Sequence, residues 1–145
     1  MTAKEYLNRA YRLDRKINRL IREKNQWKDM AYSISKDTTK PHYDPNRSTD
    51  AVFERCLAKA DELERLITEG IDRLIDIKVE ITETIMTLKD PTSQMLLMLR
   101  YIRFLSWEDI SRQMGYSESW IFKKHGAALN DISRVLKTLQ SNTVE

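Results

Sequence analysis

Two long stretches of the sequence carry an apolar residue at nearly every third or fourth position, with gaps at Lys24 and Gly70 and few glycines or prolines to interrupt them. The first stretch ends at Ile34 and the second ends at Leu88. Steps that alternate between three and four residues place the apolar side chains on one narrow stripe of a helix, as in a coiled coil. The sequence therefore predicts two long helices, over about residues 4–33 and about residues 51–88. The two stripes comprise Tyr6, Ala10, Leu13, Ile17, Leu20, Trp27, Ala31 and Ile34, and then Cys56, Ala60, Leu63, Ile67, Leu74, Ile77, Ile81 and Leu88.

The segment between these helices contains Pro41 and Pro45 and is otherwise mostly polar. Each proline removes a backbone donor and clashes with the preceding helical turn, so we expect a long loop over residues 35–50. Residues 1–34 carry nine Lys or Arg against four Asp or Glu, whereas residues 51–90 carry six against ten. Because the two helices are opposite in charge and joined by a loop, they are predicted to fold back into an antiparallel hairpin.

A new helical pattern starts at Asp90, where an aspartate suited to capping is followed by Pro91 at the first helical position. Three shorter helices are predicted beyond it, over about residues 92–105, 107–114 and 118–139. The expected fold is therefore all-α. It consists of a long, coiled-coil-like antiparallel helical hairpin over residues 1–90 and a small three-helix domain over residues 91–145.

The last two predicted helices have the spacing of a helix-turn-helix. Ser106 and Ser117 stand at N-cap positions, and Gly115 is suited to the left-handed conformation that ends a helix. A glycine-containing turn of three or four residues is typical of the DNA-binding motif, whose second helix enters the major groove. Gly126, on the outer side of that helix, would let it lie close to a duplex.

The outer side of the last helix is the predicted nucleic-acid interface. Ser119 and Lys123 point away from the predicted core, toward base edges or phosphates. Arg103, Arg112 and Lys124 are expected to contact phosphates, which position a protein without reading the sequence. The complete set of predicted DNA-binding residues is Arg103, Arg112, Ser117, Glu118, Ser119, Trp120, Lys123 and Lys124.

Each of these assignments has a structural alternative. Helical corners with a glycine turn also occur in proteins that bind no DNA, and Trp120 and Phe122 equally fit a domain-packing or oligomer interface. Lys123 and Lys124 also fit a solvated face. His125 falls on the apolar side of its helix and is predicted to be a core histidine.

Four short motifs carry a resemblance to a known family: "LRY" at 99–101, "SWEDIS" at 106–111, "MGYS" at 114–117 and "HGAAL" at 125–129. With the charged N-terminal helices, they resemble phage and prophage regulators of the ArpU/RinA kind, whose C-terminal region is similar to the fourth region of sigma factors. The resemblance implies control of late phage transcription through promoter DNA and contact with the RNA polymerase of the bacterial host. It also implies that Glu118, Ser119, Trp120 and Lys123 face the DNA, although arginines are usual at the positions of Glu118 and Trp120.

The expected function is a sequence-specific DNA-binding transcription regulator in the bacterial cytoplasm, with the hairpin mediating homodimerisation or contact with the polymerase. Two alternatives stay open: a DNA-packaging protein like a small terminase, and a helical protein–protein interaction module that binds no DNA. No enzyme is expected, because His42 lies in the predicted loop, Cys56 has no evident base, and neither metal-ligand spacing nor a phosphate-binding loop occurs. No cofactor, metal or membrane contact is therefore expected, and the single cysteine is typical of a reducing compartment.

Overall fold

A computed structural model of the chain describes residues 1–36 and 49–143. Within this part of the chain every element is helical and no strand occurs, so the predicted all-α class is confirmed. The loop predicted over residues 35–50 falls mainly on residues 37–48, which lie outside the described residues. The helices are α1 (Ala3–Leu7), α2 (Arg9–Lys36), α3 (Thr49–Met86), α4 (Pro91–Leu97), α5 (Trp107–Met114) and α6 (Glu118–Thr143), with a π-helical turn at Met98–Ile102 after α4.

The segment Asp14–Arg73 forms one compact unit, in which parts of α2 and α3 run antiparallel. Lys24 Nζ lies 2.7 Å from a carboxylate oxygen of Glu64, and this ion pair holds the pKa of Glu64 below its ordinary value. A Cβ atom added to Gly70 would lie only 3.0 Å from Ile17 Cγ1, so the glycine permits close approach of the two helices. The predicted hairpin is confirmed here, since the described stripe residues of both helices in this unit are buried or half-buried.

Met1–Leu13 and the chain from Leu74 onward form the other compact unit. Its largest apolar cluster joins the first ten residues and the end of α3 to the C-terminal helices. Each buried member of this cluster is almost fully shielded from water. Contacts therefore group the chain differently from the boundary expected after residue 90, because the first helix completes the C-terminal core. The buried members of this cluster are Ala3, Leu7, Ala10, Ile81, Ile85, Leu88, Leu97, Tyr101, Ala128 and Ile132.

The N-terminus of this unit is fixed by local and long-range hydrogen bonds. Thr2 and Glu5 form a reciprocal capping box, so α1 begins at Ala3, one residue before the predicted start. The Tyr6 hydroxyl lies 2.9 Å from that of Thr84 on α3. The capping box thus fixes where the short first helix begins, and the Tyr6–Thr84 pair holds it against α3.

The segment predicted as a single helix over residues 92–105 is interrupted. Asp90 caps α4 as expected, accepting a 3.0 Å hydrogen bond from the Thr92 backbone amide. After α4 the chain widens into the π-helical turn and then reaches Phe104, whose φ of 60° is left-handed and cannot continue a right-handed helix. The Phe104 ring is held edge-on by Tyr11, with centroids 5.5 Å apart, and by the Lys78 ammonium group, 4.6 Å from its centroid.

Candidate nucleic-acid interface

The turn between α5 and α6 is built from the capping residues that the sequence indicates. The Ser106 hydroxyl accepts a 3.1 Å hydrogen bond from the Asp109 amide at the start of α5. Gly115 ends α5 with a left-handed φ of 78°, and its amide donates to the Ser111 carbonyl at 3.0 Å. The Ser117 hydroxyl accepts from the Trp120 amide at 3.2 Å and so caps α6. These local bonds fix the direction in which α6 leaves the turn.

Two apolar contacts fix the rotation of α6 about its axis. Ile121 is fully buried in a cluster with Leu96, Leu99 and Ile110, so the first turns of α6 pack on α4, the π-helical turn and α5. Ala128 and Ile132 continue the same side of α6 into the larger cluster. Because this side is buried, the opposite side of the helix lies at the surface.

His125 lies on the buried side, as predicted for a core histidine. Its Nε2 atom is 2.6 Å from the Tyr101 hydroxyl, and its ring meets the Trp107 indole edge-on with centroids 4.6 Å apart. Burial lowers the pKa of His125 to about 4, with further contributions from Lys4 and Arg100, and burial raises the pKa of Tyr101 to about 12. At neutral pH both groups are therefore uncharged, and the imidazole tautomer sets which of the two donates in their hydrogen bond. His125 is thus part of the packing beneath the surface helix.

The outer face of α6, opposite the buried Ile121 and Ala128, is open to solvent. It consists of five exposed residues at helical spacing, namely Ser119, Phe122, Lys123, Gly126 and Asn130. Ser117 and Glu118 are also exposed at the start of the helix, whereas Trp120 is half-buried beside it. Every residue predicted to contact DNA on α6 is therefore at least partly accessible.

Trp120 and Lys124 are engaged in contacts within the protein. The Trp120 indole stacks on the Tyr116 ring, with centroids 3.8 Å apart and an interplanar angle of 17°. Lys124 forms an ion pair with Asp90, the residue that caps α4. The hydrogen bond from Lys124, followed by that from the Thr92 amide, holds the pKa of the Asp90 carboxyl below its ordinary value. Lys124 therefore ties α6 to α4, and part of its charge is already balanced.

The three remaining cations of the predicted set differ in whether a neighbouring carboxylate balances their charge. Arg112 lies 2.7 Å from an Asp109 carboxylate oxygen and 3.7 Å from one of Glu108, so two acidic residues of its own helix balance its charge. Lys123 and Arg103 are exposed, and no carboxylate of the described residues lies within ion-pair distance of either. Lys123 and Arg103 are consequently the most available cations of the predicted set.

The structure draws attention to two residues that sequence reasoning left outside its set of DNA-binding side chains. Phe122 is 49% exposed, and its only aromatic contact among the described residues is an edge-on approach to Trp107, with centroids 5.2 Å apart. Gly126 is exposed, and a Cβ atom built on it would meet no other atom within 4 Å. The sequence signal for both was their position on the same helical face as Ser119 and Lys123.

Two other features, a metal-binding cluster and a membrane-spanning helix, are not found among the described residues. Among the described residues, no three His, Cys, Asp or Glu side chains are grouped so that they could hold a metal ion. No helix of the described residues has the length and apolarity that crossing a membrane requires. The turn between α5 and α6, with the outer face that follows it, is the candidate site.

Comparison with known families places this chain in one of them. A family model described as "Protein of unknown function (DUF1492)" matches residues 32–133, which is more than half of the chain. The chain belongs to the DUF1492 family. The match includes all of α4 and α5, the glycine turn and the first half of α6, so the candidate site lies inside the region that defines the family. Neither a curated protein nor a solved structure matches the chain.

Proposed function

We propose that this protein is a sequence-specific DNA-binding transcription regulator in which the outer face of α6 enters the major groove. The observation that carries the proposal is the combination of a helix fixed in angle and rotation with an opposite face left open. A reading helix needs both properties, because base contacts demand a fixed orientation and free access. The proposal includes Ser117, Glu118 and Ser119 at the start of α6, where helices of this motif approach base edges.

Gly126 gives independent support. A glycine inside a helix costs roughly 1 kcal/mol relative to alanine, and nothing within 4 Å explains the missing side chain here. The residue is exposed and lies two turns beyond Ser119 on the outer face. Close approach of an external surface, such as the wall of a DNA groove, accounts for a glycine at this position.

The charges on this surface indicate modest affinity for DNA. Lys123 and Arg103 are available for phosphates, whereas Arg112 and Lys124 would first have to leave their internal carboxylate partners. Each phosphate that is neutralised contributes about −0.9 to the slope of log affinity against log salt. Two contacts per chain thus give a slope of roughly −2, so we propose that a dimer or a bound polymerase supplies the rest.

The hairpin offers a surface for such a partner. Ile75, Val79 and Met86 are about half exposed along the side of α3 that faces away from its buried stripe. Asp76 and Glu83 lie beside them and are exposed. This surface supports the part of the proposal that gives the hairpin a role in contact with a partner, and it also favours the alternative of an interaction module without DNA binding. Because the chain also resembles phage regulators, we propose that it controls phage or prophage genes in the bacterial cytoplasm.

A binding titration tests the DNA-binding proposal. Fluorescence anisotropy would measure the affinity of the purified chain for duplexes taken from upstream of the neighbouring genes, over a series of salt concentrations. Lys123→Gln should weaken binding and reduce the magnitude of the salt slope by about 0.9. The matched control is Lys137→Gln, an exposed lysine on the same helix about 21 Å farther along the axis, which should leave the slope unchanged. If the chain binds these duplexes no better than random DNA at low salt, the proposal fails and the interaction module is favoured.

A further inference from the structure

Phe122 stands out on the outer face of α6 because it is the only large apolar side chain among polar or small neighbours. The other members of the face are Ser119, Lys123, Gly126 and Asn130. Phe122 is 49% exposed and belongs to neither apolar cluster of the described residues. Its ring therefore contributes little to the core, and its position on this face calls for another explanation.

The Phe122 ring is nevertheless held in place from below. It meets the Trp107 indole edge-on, with centroids 5.2 Å apart and an interplanar angle of 60°. That indole is itself fixed by the Arg100 guanidinium group, 4.3 Å from its centroid, and by the buried ring of His125. An aromatic side chain supported in this way loses little conformational entropy when it binds, because it is already ordered.

The neighbouring glycine leaves the exposed side of Phe122 uncovered. A helical side chain leans toward the N-terminus and covers the turn that precedes it, so a side chain at Gly126 would lie over Phe122 and Lys123. No atom occupies that space, since a Cβ atom at Gly126 would meet nothing within 4 Å. Phe122 and Lys123 thus share one open patch, on which an apolar group and an anionic or acceptor group can be contacted side by side.

We infer that Phe122 contacts the 5-methyl group of a thymine, and that the protein selects DNA sites with a thymine at that position. This inference rests on the proposed function. In the major groove the thymine methyl is the one projecting apolar group of the base edges, since cytosine carries only a hydrogen at the same carbon and the other recognition groups are hydrogen-bond donors or acceptors. A phenyl ring cannot hydrogen-bond to those groups, so thymine is the base that its surface complements. Lys123, one residue on, lies on the same patch for a phosphate or for acceptors on an adjacent guanine.

The test removes the methyl group without changing base pairing. Duplexes bound by the full-length chain would be selected from a random-sequence pool, and each thymine of the winning duplex would then be replaced in turn by deoxyuridine. We expect at least one replacement to weaken binding by about fourfold, which corresponds to one buried methyl group. The loss at that position should disappear in Phe122→Ser and persist in Phe122→Leu, which keeps an apolar side chain.

Leu139→Ser is the matched control, because Leu139 is also a half-exposed apolar residue of α6 but lies beyond the outer face defined above. This variant should retain the loss on deoxyuridine replacement, and circular dichroism should show unchanged helicity in all three variants. If no thymine replacement affects the wild-type chain, or if the effect survives in Phe122→Ser, the assignment of Phe122 is wrong although DNA binding stands. If no duplex is enriched from the pool at low salt, the proposed function fails as well.

Discussion

Replacing Gly126 with alanine should make this protein more stable. Gly126 lies inside α6 as the ninth residue of the helix, well before its end at Thr143. The added methyl group would meet no other atom within 4 Å, so the substitution creates no clash. The change therefore consists of the difference in helix propensity, which is about 0.5–1 kcal/mol in favour of alanine. For a chain of this size the expected rise in Tm is about 1–4 °C.

The measurement is thermal and urea unfolding, followed by circular dichroism at the helix band and by tryptophan fluorescence. Ala127→Gly is the reciprocal control, because Ala127 is the next residue and is also exposed on α6. It should lower the free energy of unfolding by a similar amount, since the same propensity difference then acts in the opposite direction.

A decrease in stability for Gly126→Ala would refute this reasoning. It would mean that the helix at this point is not regular or that the space beside Gly126 is filled. The proposed function adds a second expectation of opposite sign: a larger side chain, as in Gly126→Leu, should weaken DNA binding by tenfold or more while leaving the fold intact. A gain in stability for Gly126→Ala together with a loss of DNA binding for Gly126→Leu would indicate that this glycine serves binding and not the stability of the fold.

Two further predictions concern His125, which lies beneath the outer face, and Gly115, which lies in the turn that precedes α6. The folded chain holds the pKa of His125 at about 4, against 6.5 in the unfolded chain, so below pH 6.5 the unfolded chain binds a proton that the folded chain does not. The free energy of unfolding should consequently fall by about 3 kcal/mol as the pH is lowered from 7.5 to 4. Urea titrations of His125→Gln should lack the part of this loss that occurs between pH 6.5 and 5. Gly115→Ala should lower the free energy of unfolding by about 1 kcal/mol, because alanine is strained at φ 78° although no atom lies near its methyl group. Gly115→Asn should lose less in the same assay, and an equal loss for both variants would contradict this explanation.

The parts of the fold that the sequence predicted are those set by neighbouring residues. Ser106, Gly115 and Ser117 each satisfy backbone groups within a few positions of themselves, so their roles follow from residue type and spacing. The apolar stripes of α2 and α3 were recognisable for the same reason, because a helix repeats its environment every three or four residues.

The parts that the sequence did not predict depend on residues far apart in the chain. The left-handed Phe104 requires the rings and charges of Tyr11 and Lys78, which no local pattern connects to it. The pairing of Lys124 with Asp90 likewise follows from how α6 crosses α4. For the candidate site, sequence reasoning could therefore name the exposed face of α6 but could not distinguish free cations from balanced ones.

Burial of the first helix beside the last one also sets an order for folding during synthesis. Leu7 and Ala10 join the same cluster as Ala128 and Ile132. The ribosome adds those later residues about 120 positions downstream, a delay on the order of 6–24 s at roughly 5–20 residues per second. During that interval the side of the first helix that packs on α6 stays uncovered, because α6 has not yet been translated. The core around Leu7 is thus completed only after Ala128 and Ile132 have been synthesised.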